Sequence, residues 1–470
     1  MFMRQLFDPS LAHYSYLIGC QKTGESVVID PQRDIDRYRQ LAEENDLRIT
    51  AVADTHIHAD YLTGAREFAA DPSVALYLSA EGGEDWQYRW AEGMPNAHFV
   101  RDGDSFKIGK IELRVTSTPG HTPEHVTFTV IDHGGGASTP IGIASGDFVF
   151  VGDVGRPDLL ESAAGQAGAM EPAARQLYQS LRRFHDAPDE IQIWPAHGAG
   201  SACGKSLGAV PMSTAGYEKR YNSAIATAEA GDEDAFVDFI LAGQPEPPVY
   251  WARMKQQNRD GFPVLGGLPV LEKVPPSRLG EIVGARGTVV IDARSDRFAF
   301  MDRHLKGSIF APLGNSFPTM AGSYVEPGEA IYLLVDSEGE VDALVRMLVR
   351  IGLDDIRGYL VADEALGVEN PEFFRTIPHH PVEELARYAR GDESLILDVR
   401  KASEYTAGHL DGALNIAHTR LAARLDEIPR DKTLLLHCAS GVRASSATSF
   451  LQRDGRDVIY FNGNLAEALQ

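Results

Sequence analysis

The chain has 470 residues, of which 43% are hydrophobic and 24% are charged, and its formal net charge is −23. This length exceeds one ordinary hydrophobic core, so about two to four domains are expected. The negative charge argues against nucleic acid and anionic membranes as partners. Apolar runs stay short of the roughly 20 residues that span a bilayer, and no secretory signal is evident at the N-terminus.

The cysteine content indicates the compartment. Only Cys20, Cys203 and Cys438 occur, which is too few for a disulfide framework. A reducing, cytoplasmic location is therefore expected. A homo-oligomer is also expected. Cys20 falls in the predicted strand YSYLIGC and is interpreted as a core residue.

The first 255 residues alternate strand-like and helix-like segments. ITAVADT is typical of a buried strand, residues 171–185 of a helix, and IQIWPAHG of a strand that runs into a loop. Residues with metal-binding side chains follow these strands. Such a pattern predicts an α/β layered domain with its site at the strand ends.

Candidate metal ligands occur at four separate strand ends. A lone loop histidine is more often a packing or solvated side chain, but four such places together predict a metal site. The candidates are His56, His58, Asp60, His121, Asp147 and His197.

The ordered motifs T-H-x-H-x-D, P-G-H-T, G-D and P-x-H-G resemble the metallo-β-lactamase family, which implies an αββα sandwich. Its hydrolytic members, such as glyoxalase II, hold two metals. In that arrangement Asp60, the residue after it and His197 serve the second metal, and Asp147 bridges the two.

Tyr61 stands where those hydrolases have a further histidine. A phenol with a pKa near 10 is a poor ligand at neutral pH, so a single metal is favoured. The persulfide dioxygenase branch is similar in holding one Fe(II), which implies His56, His121 and Asp147 as ligands. That triad leaves positions for dioxygen and a thiolate-type substrate. The usual members of that branch keep the histidine, so Tyr61 alone does not identify a dioxygenase.

The other polar residues near this site are predicted to support it. His58, Asp60 and His197 become neighbours that orient the ligands or remain from a lost second site. The segment GDVGRPDLL is similar to the same branch, so Arg156 and Asp158 are predicted to support the substrate or the ligands. Cys203 follows His197 on a glycine-rich loop, where it either relays sulfane sulfur or is an incidental thiol.

Residues 256–276 are rich in proline and glycine and are predicted to form a linker. The remainder reads as an internal repeat over residues 277–368 and 380–470. Each copy has an apolar strand that ends in Asp-x-Arg, then a His-Leu-x-Gly turn and a second strand, loop and helix.

In the second copy Cys438 follows an apolar strand, and the loop to Arg443 opens a helix. Backbone N–H groups of such a loop form an anion cradle and favour a thiolate. This loop resembles the rhodanese active site, which implies that Cys438 and Arg443 are catalytic. The first copy has Asp336 in place of the cysteine, so we predict a rhodanese-like domain without sulfurtransferase activity that serves in packing or docking.

These resemblances predict a persulfide dioxygenase fused to rhodanese, with one Fe(II) per chain. The expected substrates are dioxygen and a low-molecular-weight thiol persulfide, such as that of glutathione or coenzyme A, with sulfite and thiosulfate as products or co-substrates. One alternative is a dinuclear zinc thioester hydrolase fused to rhodanese. Another is a sulfur-carrier or scaffold protein without oxidative chemistry.

Overall fold

A computed structural model describes residues 1–162, 167–389 and 391–465. The chain forms two compact units. Unit 1 consists of Met1–Pro247 and Trp251–Gly267, and unit 2 of residues 248–250 together with the described residues from 268 onward. Among the helices of the described ranges, none has both the length and the apolar character needed to cross a bilayer.

Unit 1 is built from both strands and helices. Its strands are β1 (Phe2–Asp8), β2 (His13–Cys20), β3 (Glu25–Ile29), β4 (Arg48–Ala53), β5 (Ala75–Ser79), β6 (Ala97–Val100), β7 (Ser105–Ile108), β8 (Ile111–Ser117), β9 (Val126–Asp132), β10 (Gly142–Gly146), β11 (Gln192–Pro195) and β12 (Ser213–Thr214). Its helices are α1 (Asp36–Glu43), α2 (Ala65–Phe68), α3 (Leu159–Ser162), α4 (Met170–Phe184), α5 (Ala215–Tyr221), α6 (Ser223–Glu229), α7 (Glu233–Leu241) and α8 (Trp251–Asp260).

The strands of unit 1 form two sheets, one with the order β1-β2-β3-β4-β5-β6 and one with the order β7-β8-β9-β10-β11-β12. Alternate residues of each strand face opposite sides, so one set packs between the sheets and the other against helices. Tyr16 and Val27 join the core between the sheets. Their neighbours Leu17 and Val28 join the core that includes Tyr38 of α1. This arrangement is the αββα sandwich predicted from the sequence.

The candidate ligands lie at one end of the two sheets. His56 follows β4, His121 lies in the loop between β8 and β9, Asp147 follows β10, and His197 follows β11. The core strands therefore deliver four sequence-distant side chains to one place, as their positions at strand ends predict.

Helix α8 includes the first residues of the segment predicted as a linker. Its residue Asn258 is fully buried. The Asn258 amide donates to the carbonyl oxygens of His58 (2.8 Å) and Tyr61 (2.7 Å), and its oxygen accepts from the Thr63 N–H (2.9 Å). Because this loop lies outside the hydrogen-bonded strands of the sheet, the bonds from Asn258 fix the backbone that carries the histidine motif.

Unit 2 contains strands β13 to β23 and helices α9 to α16 within the described ranges. The strands are β13 (Thr288–Asp292), β14 (His304–Leu305), β15 (Ile309–Phe310), β16 (Ala330–Val335), β17 (Ile356–Val361), β18 (Phe374–Arg375), β19 (His379–Pro381), β20 (Ser394–Asp398), β21 (Leu414–Asn415), β22 (Thr433–His437) and β23 (Val458–Asn462). The helices are α9 (Leu279–Ile282), α10 (Arg297–Asp302), α11 (Phe317–Tyr324), α12 (Val341–Arg350), α13 (Ala362–Leu366), α14 (Leu385–Tyr388), α15 (Ala402–Ala407) and α16 (Val442–Arg453).

The first half of unit 2 (residues 268–375) and its second half (residues 376–465) share a strand order. One sheet runs β15-β13-β16-β17, and the other runs β21-β20-β22-β23 with β19 added beyond β23. The two charged side chains of each Asp-x-Arg motif form an ion pair. Arg294 binds Asp292 and Arg400 binds Asp398, both at 2.7 Å. These features are those expected of a repeat, while the assignment of the first half to the rhodanese family stays a prediction.

We expect Asn258→Ala to lower the free energy of unfolding of unit 1 by about 3 kcal/mol, because two buried carbonyls and one N–H lose their partners. Differential scanning calorimetry on the full chain measures the shift of the corresponding transition. Gln40→Ala, at an exposed position of α1, is the matched control. An unchanged transition in Asn258→Ala would show that water replaces these bonds.

Candidate metal centre and sulfur-transfer loop

Three buried side chains of unit 1 converge, and we call His56, His121 and Asp147 the ligand triad. One ligand atom from each lies within 4.8 Å of the others. Asp147 Oδ2 is 3.4 Å from His121 Nε2 and 4.0 Å from His56 Nε2. The three residues predicted as metal ligands are thus brought together.

Hydrogen bonds to neighbouring groups assign the proton on His56. The Thr55 hydroxyl donates to Asp30 Oδ2 (2.9 Å), so its oxygen accepts from His56 Nδ1 (2.9 Å). The lone pair of His56 is therefore on Nε2, which faces the triad. Burial, together with the neighbouring histidines, holds the pKa of His56 well below its ordinary value, so the ring is neutral at pH 7.

His121 is oriented in the same way. Its Nδ1 donates to the carbonyl oxygen of Arg156 (2.9 Å), which leaves Nε2 as the lone-pair nitrogen. Burial lowers the pKa of this imidazole, although the Asp147 carboxylate opposes the shift. Gly155 lets the chain next to Arg156 pass close to Asp147, because a Cβ at this position would collide with the carbonyl oxygen of Asp147.

Arg156 and Asp158, predicted to support the substrate or the ligands, form an ion pair in the wall of this site. Arg156 is buried and binds Asp158 through Nε (2.7 Å) and Nη2 (2.6 Å). Its Nη1 donates to the carbonyl oxygens of Ala202 (3.1 Å) and Pro245 (2.5 Å). These contacts hold the backbone that presents a carbonyl to His121, while a role of either residue toward the substrate or the ligands stays a prediction.

Asp147 is held by histidines on both its backbone and its side chain. Its N–H donates to His125 Nε2 (3.0 Å), and its Oδ1 accepts from His197 Nδ1 (2.7 Å). Although burial opposes ionisation, the neighbouring histidines, His197 above all, hold the pKa of Asp147 below its ordinary value. The carboxylate is therefore ionised, with Oδ2 directed at the two lone pairs.

His197 lies between two carboxylates, since its Nε2 contacts Asp60 Oδ2 at 3.0 Å and its Nδ1 binds Asp147. Burial opposes the charge, but Asp147 and then Cys203 and Asp60 raise the pKa of His197 well above its ordinary value. Both nitrogens of His197 are thus engaged with carboxylates, so this side chain supports Asp147.

Tyr61 is fully buried and hydrogen-bonded to His13 Nε2 (2.8 Å). Burial and the nearby carboxylates raise its pKa well above 10, which keeps the phenol neutral. His58 stacks on Tyr61 and places Nε2 3.2 Å from Asp30 Oδ1. The position where related hydrolases have a further histidine is thus filled by a neutral group within a histidine–phenol–carboxylate network.

Cys203 lies with Asp60 and His197 in a second cluster of possible ligand atoms, again within 4.8 Å. The thiol is buried, and that burial raises its pKa to about 12. A protonated thiol is a weak nucleophile. The sulfur-relay role of Cys203 stays a prediction, and in this conformation the chemistry does not favour it.

The ligand triad fits a divalent metal. It offers two neutral imidazoles and one ionised carboxylate, the donor set of mononuclear iron sites. Asp147 Oδ2 is buried and has no hydrogen-bond partner among the described residues. A buried carboxylate oxygen without a donor is costly, and a cation between these three atoms removes that cost.

Sequence reasoning missed several residues that organise this site. His125 binds the Asp147 backbone, while Asp30 accepts from both the N–H (2.7 Å) and the hydroxyl of Thr55. The segment PGHTPEHV shows a second histidine that could have been considered. Nothing in the local sequence around Asp30 indicates its distant partner, because that contact depends on the packing of β3 beside β4.

In unit 2, Cys438 lies directly after β22 and is buried. Its Sγ accepts from the N–H groups of Gly441 (3.2 Å) and Ala444 (3.4 Å), at the start of α16. Arg443 pairs with Glu404 (2.8 Å) and also interacts electrostatically with Cys438. The loop therefore surrounds the sulfur with donors and positive charge, the environment that stabilises a thiolate or persulfide.

In the corresponding loop of the first half, a side chain of the loop itself binds backbone N–H groups. Glu340 Oε2 accepts from the N–H groups of Asp336 (3.1 Å) and Ser337 (3.3 Å). The Gly339 N–H, which corresponds in position to the Gly441 N–H of the second half, donates to the Ser337 hydroxyl (3.3 Å). This contact gives a physical reason why the first half is predicted to lack sulfur-transfer chemistry.

The first half also borders the Cys438 loop. Arg297 of α10 donates to Asn462 Oδ1 (2.9 Å) and to the carbonyl oxygen of Ser440 (3.5 Å). The Tyr324 hydroxyl donates to the carbonyl oxygen of His418 (2.9 Å). These bonds agree with the packing role predicted for this half.

Comparison with known proteins gives two family matches. Residues 9–197 match the metallo-β-lactamase superfamily, and residues 381–468 match the rhodanese-like domain. The chain is 31% identical to mitochondrial persulfide dioxygenase ETHE1 from Bos taurus over 202 residues, which are 42% of this chain and 68% of that protein. The Homo sapiens protein is 31% identical over 199 residues, with the same coverage.

Among solved structures, a metallo-β-lactamase from Staphylococcus aureus subsp. aureus COL is 40% identical with a TM-score of 0.67. The match covers 77% of this chain and 99% of the other.

We expect Asp147→Asn to reduce bound metal at least about 10-fold, because the amide offers a neutral oxygen in place of the ionised ligand. Inductively coupled plasma mass spectrometry on the purified protein measures metal per chain. Asp189→Asn, whose side chain is 77% exposed, is the control. Full metal content in Asp147→Asn would exclude Asp147 as a ligand.

We expect Gly441→Ala to abolish sulfur transfer from thiosulfate to cyanide while the fold is kept. Gly441 has φ 88°, and a Cβ there would collide with Asn462 and Tyr460, which would displace the Cys438 loop. Gly455 has a similar φ of 81° but open space around its Cβ position. Gly455→Ala should therefore keep the activity, and equal activity in both variants would contradict this account.

Proposed function

Because the chain belongs to the metallo-β-lactamase superfamily and carries a C-terminal rhodanese-like domain, we propose that it is a persulfide dioxygenase coupled to a sulfurtransferase. The observation that carries this proposal is the geometry of the ligand triad. Two neutral imidazoles and one carboxylate converge, while both nitrogens of His197 face carboxylates. This arrangement favours one metal and disfavours the dinuclear hydrolase.

His56, His121 and Asp147 would hold Fe(II), which supplies the redox chemistry between dioxygen and the persulfide sulfur. Thr55 and the Arg156 carbonyl keep the two imidazoles in the tautomers that such a site requires. His197 stabilises the charge on Asp147. The reaction consumes one dioxygen and one water per persulfide. The S–S bond breaks, the outer sulfur leaves as sulfite, and the inner sulfur stays with the thiol.

Cys438 would carry the transferred sulfur. Its thiolate attacks the outer sulfur of a persulfide, forms Cys438–S–S⁻ and releases the donor thiolate. Sulfite then attacks that sulfur, which leaves as thiosulfate and regenerates the Cys438 thiolate. The N–H groups of Gly441 and Ala444 stabilise both anionic forms. Joining the two activities in one chain raises the effective concentration of sulfite near Cys438.

The decisive experiment compares wild type with His121→Ala and Cys438→Ser on glutathione persulfide. Metal content, oxygen uptake, sulfite and thiosulfate are measured together. We expect His121→Ala to lower oxygen uptake about 100-fold or more, because a ligand is lost. Cys438→Ser should keep oxygen uptake and release sulfite without thiosulfate.

Other results would favour the alternatives. Two zinc ions per chain with no oxygen uptake would support the thioester hydrolase. Loss of all sulfur chemistry in Cys438→Ser, with no effect of His121→Ala, would support a sulfur carrier. Cys203→Ser belongs in the same series, since equal thiosulfate yield would exclude a relay through that thiol.

A further inference from the structure

A cavity of about 230 Å³ lies in unit 1 beside the loop that carries the histidine motif. Ile57, which stands between His56 and His58, forms part of its wall. Other parts are Trp86 and the polar face of α8. This helix lies beyond the residues matched by the superfamily, and neither the ligand triad nor the Cys438 loop accounts for the cavity.

The unusual group in this wall is Lys255. Its residue is only 8% exposed, and its Nζ lies 3.5 Å from the centroid of the Trp86 ring. Within the described ranges, Lys255 makes no side-chain hydrogen bond and no ion pair. Buried lysines are rare unless they are paired. A buried amine on an indole face beside open space is therefore a candidate for binding an anion.

The other charged groups near the cavity form no ion pair with Lys255 within the described ranges. Arg259 pairs with Asp260 (2.8 Å). Asp85 is 74% exposed and lies 3.7 Å from Arg89, so its charge is in solvent at the mouth. Burial lowers the pKa of Lys255 to about 7, and the buried Glu124 opposes that shift, although it lies beyond ion-pair distance and its Oε1 accepts from the Ile57 N–H (2.8 Å). A bound anion would favour the charged form of Lys255.

The cavity is connected to the metal centre through two elements. Glu124 links its wall to the backbone of the histidine motif at Ile57. Asn258, one helical turn after Lys255, binds the carbonyl oxygens of His58 and Tyr61. Residues three apart share a helix face, so Lys255 and Asn258 are presented on the same side of α8.

We propose that this cavity binds a carboxylate of the small thiol that carries the persulfide, and that Lys255 selects carriers with such an anionic group. This inference rests on the proposed dioxygenase function. The cavity is smaller than the roughly 300 Å³ or more typical of complete ligand sites, so it takes one end of the carrier.

The test removes the charge of Lys255 and keeps an unbranched aliphatic side chain. Lys255→Met retains methylene contact with Trp86, so the fold is expected to hold. Oxygen uptake is measured with glutathione persulfide, which has carboxylates, and with 2-hydroxyethyl persulfide, which is neutral. We expect KM for the first to rise about 10- to 100-fold, the effect of losing one charge-assisted bond, with kcat little changed. KM for the neutral persulfide should stay the same.

A binding measurement without turnover separates this inference from the proposed function. Calorimetric titration with S-methylglutathione should show the same loss of affinity in Lys255→Met, retained affinity in Lys255→Arg, and none of this loss in Lys107→Met, an exposed control on β7. Equal affinity of wild type and Lys255→Met would overturn the anion site. Binding that depends on Lys255, in a wild type that takes up no oxygen with either persulfide, would overturn the dioxygenase and keep the anion site.

Discussion

The carboxylate of Asp147 is the group on which the site of unit 1 depends. One oxygen binds the protonated His197, and the other faces the lone pairs of His56 and His121. A buried carboxylate is tolerable only if both oxygens find positive partners. His197 provides one partner, and the geometry leaves the second to a cation. The Thr55 hydroxyl and the Arg156 carbonyl then hold the imidazole protons away from the space between the three ligand atoms, and His125 fixes the Asp147 backbone.

Much of this arrangement could be predicted from the sequence because it depends on local pattern. The apolar runs that end in His56 and Asp147 place both at strand ends, and the spacing within each motif carried the family resemblance. The roles of Asp30, His125 and Lys255 could not be predicted in this way. Each acts through a contact with a residue far away in the chain, and such contacts depend on which strands and helices pack together.

The two halves of unit 2 differ in which group accepts hydrogen bonds from the backbone of one loop. Both halves place a loop after the equivalent strand of their sheet, β16 in the first and β22 in the second. In one half the Gly441 N–H donates to Cys438, while in the other the Gly339 N–H donates to the Ser337 hydroxyl. The sequence indicated the missing cysteine at Asp336. It did not indicate that a side chain of a capping box binds this N–H group, since a capping box is usually a feature of helix stability alone.

Helix α8 has a consequence for how the boundaries of this protein are drawn. The superfamily match ends at residue 197, yet Asn258 satisfies the carbonyls of the motif that begins at His56. A fragment that ended at residue 197 would contain every predicted ligand. It would still lack Asn258, which supports the backbone of the motif that carries His56. The compact unit that holds the motif therefore extends to Gly267, some 70 residues past the end of the signature.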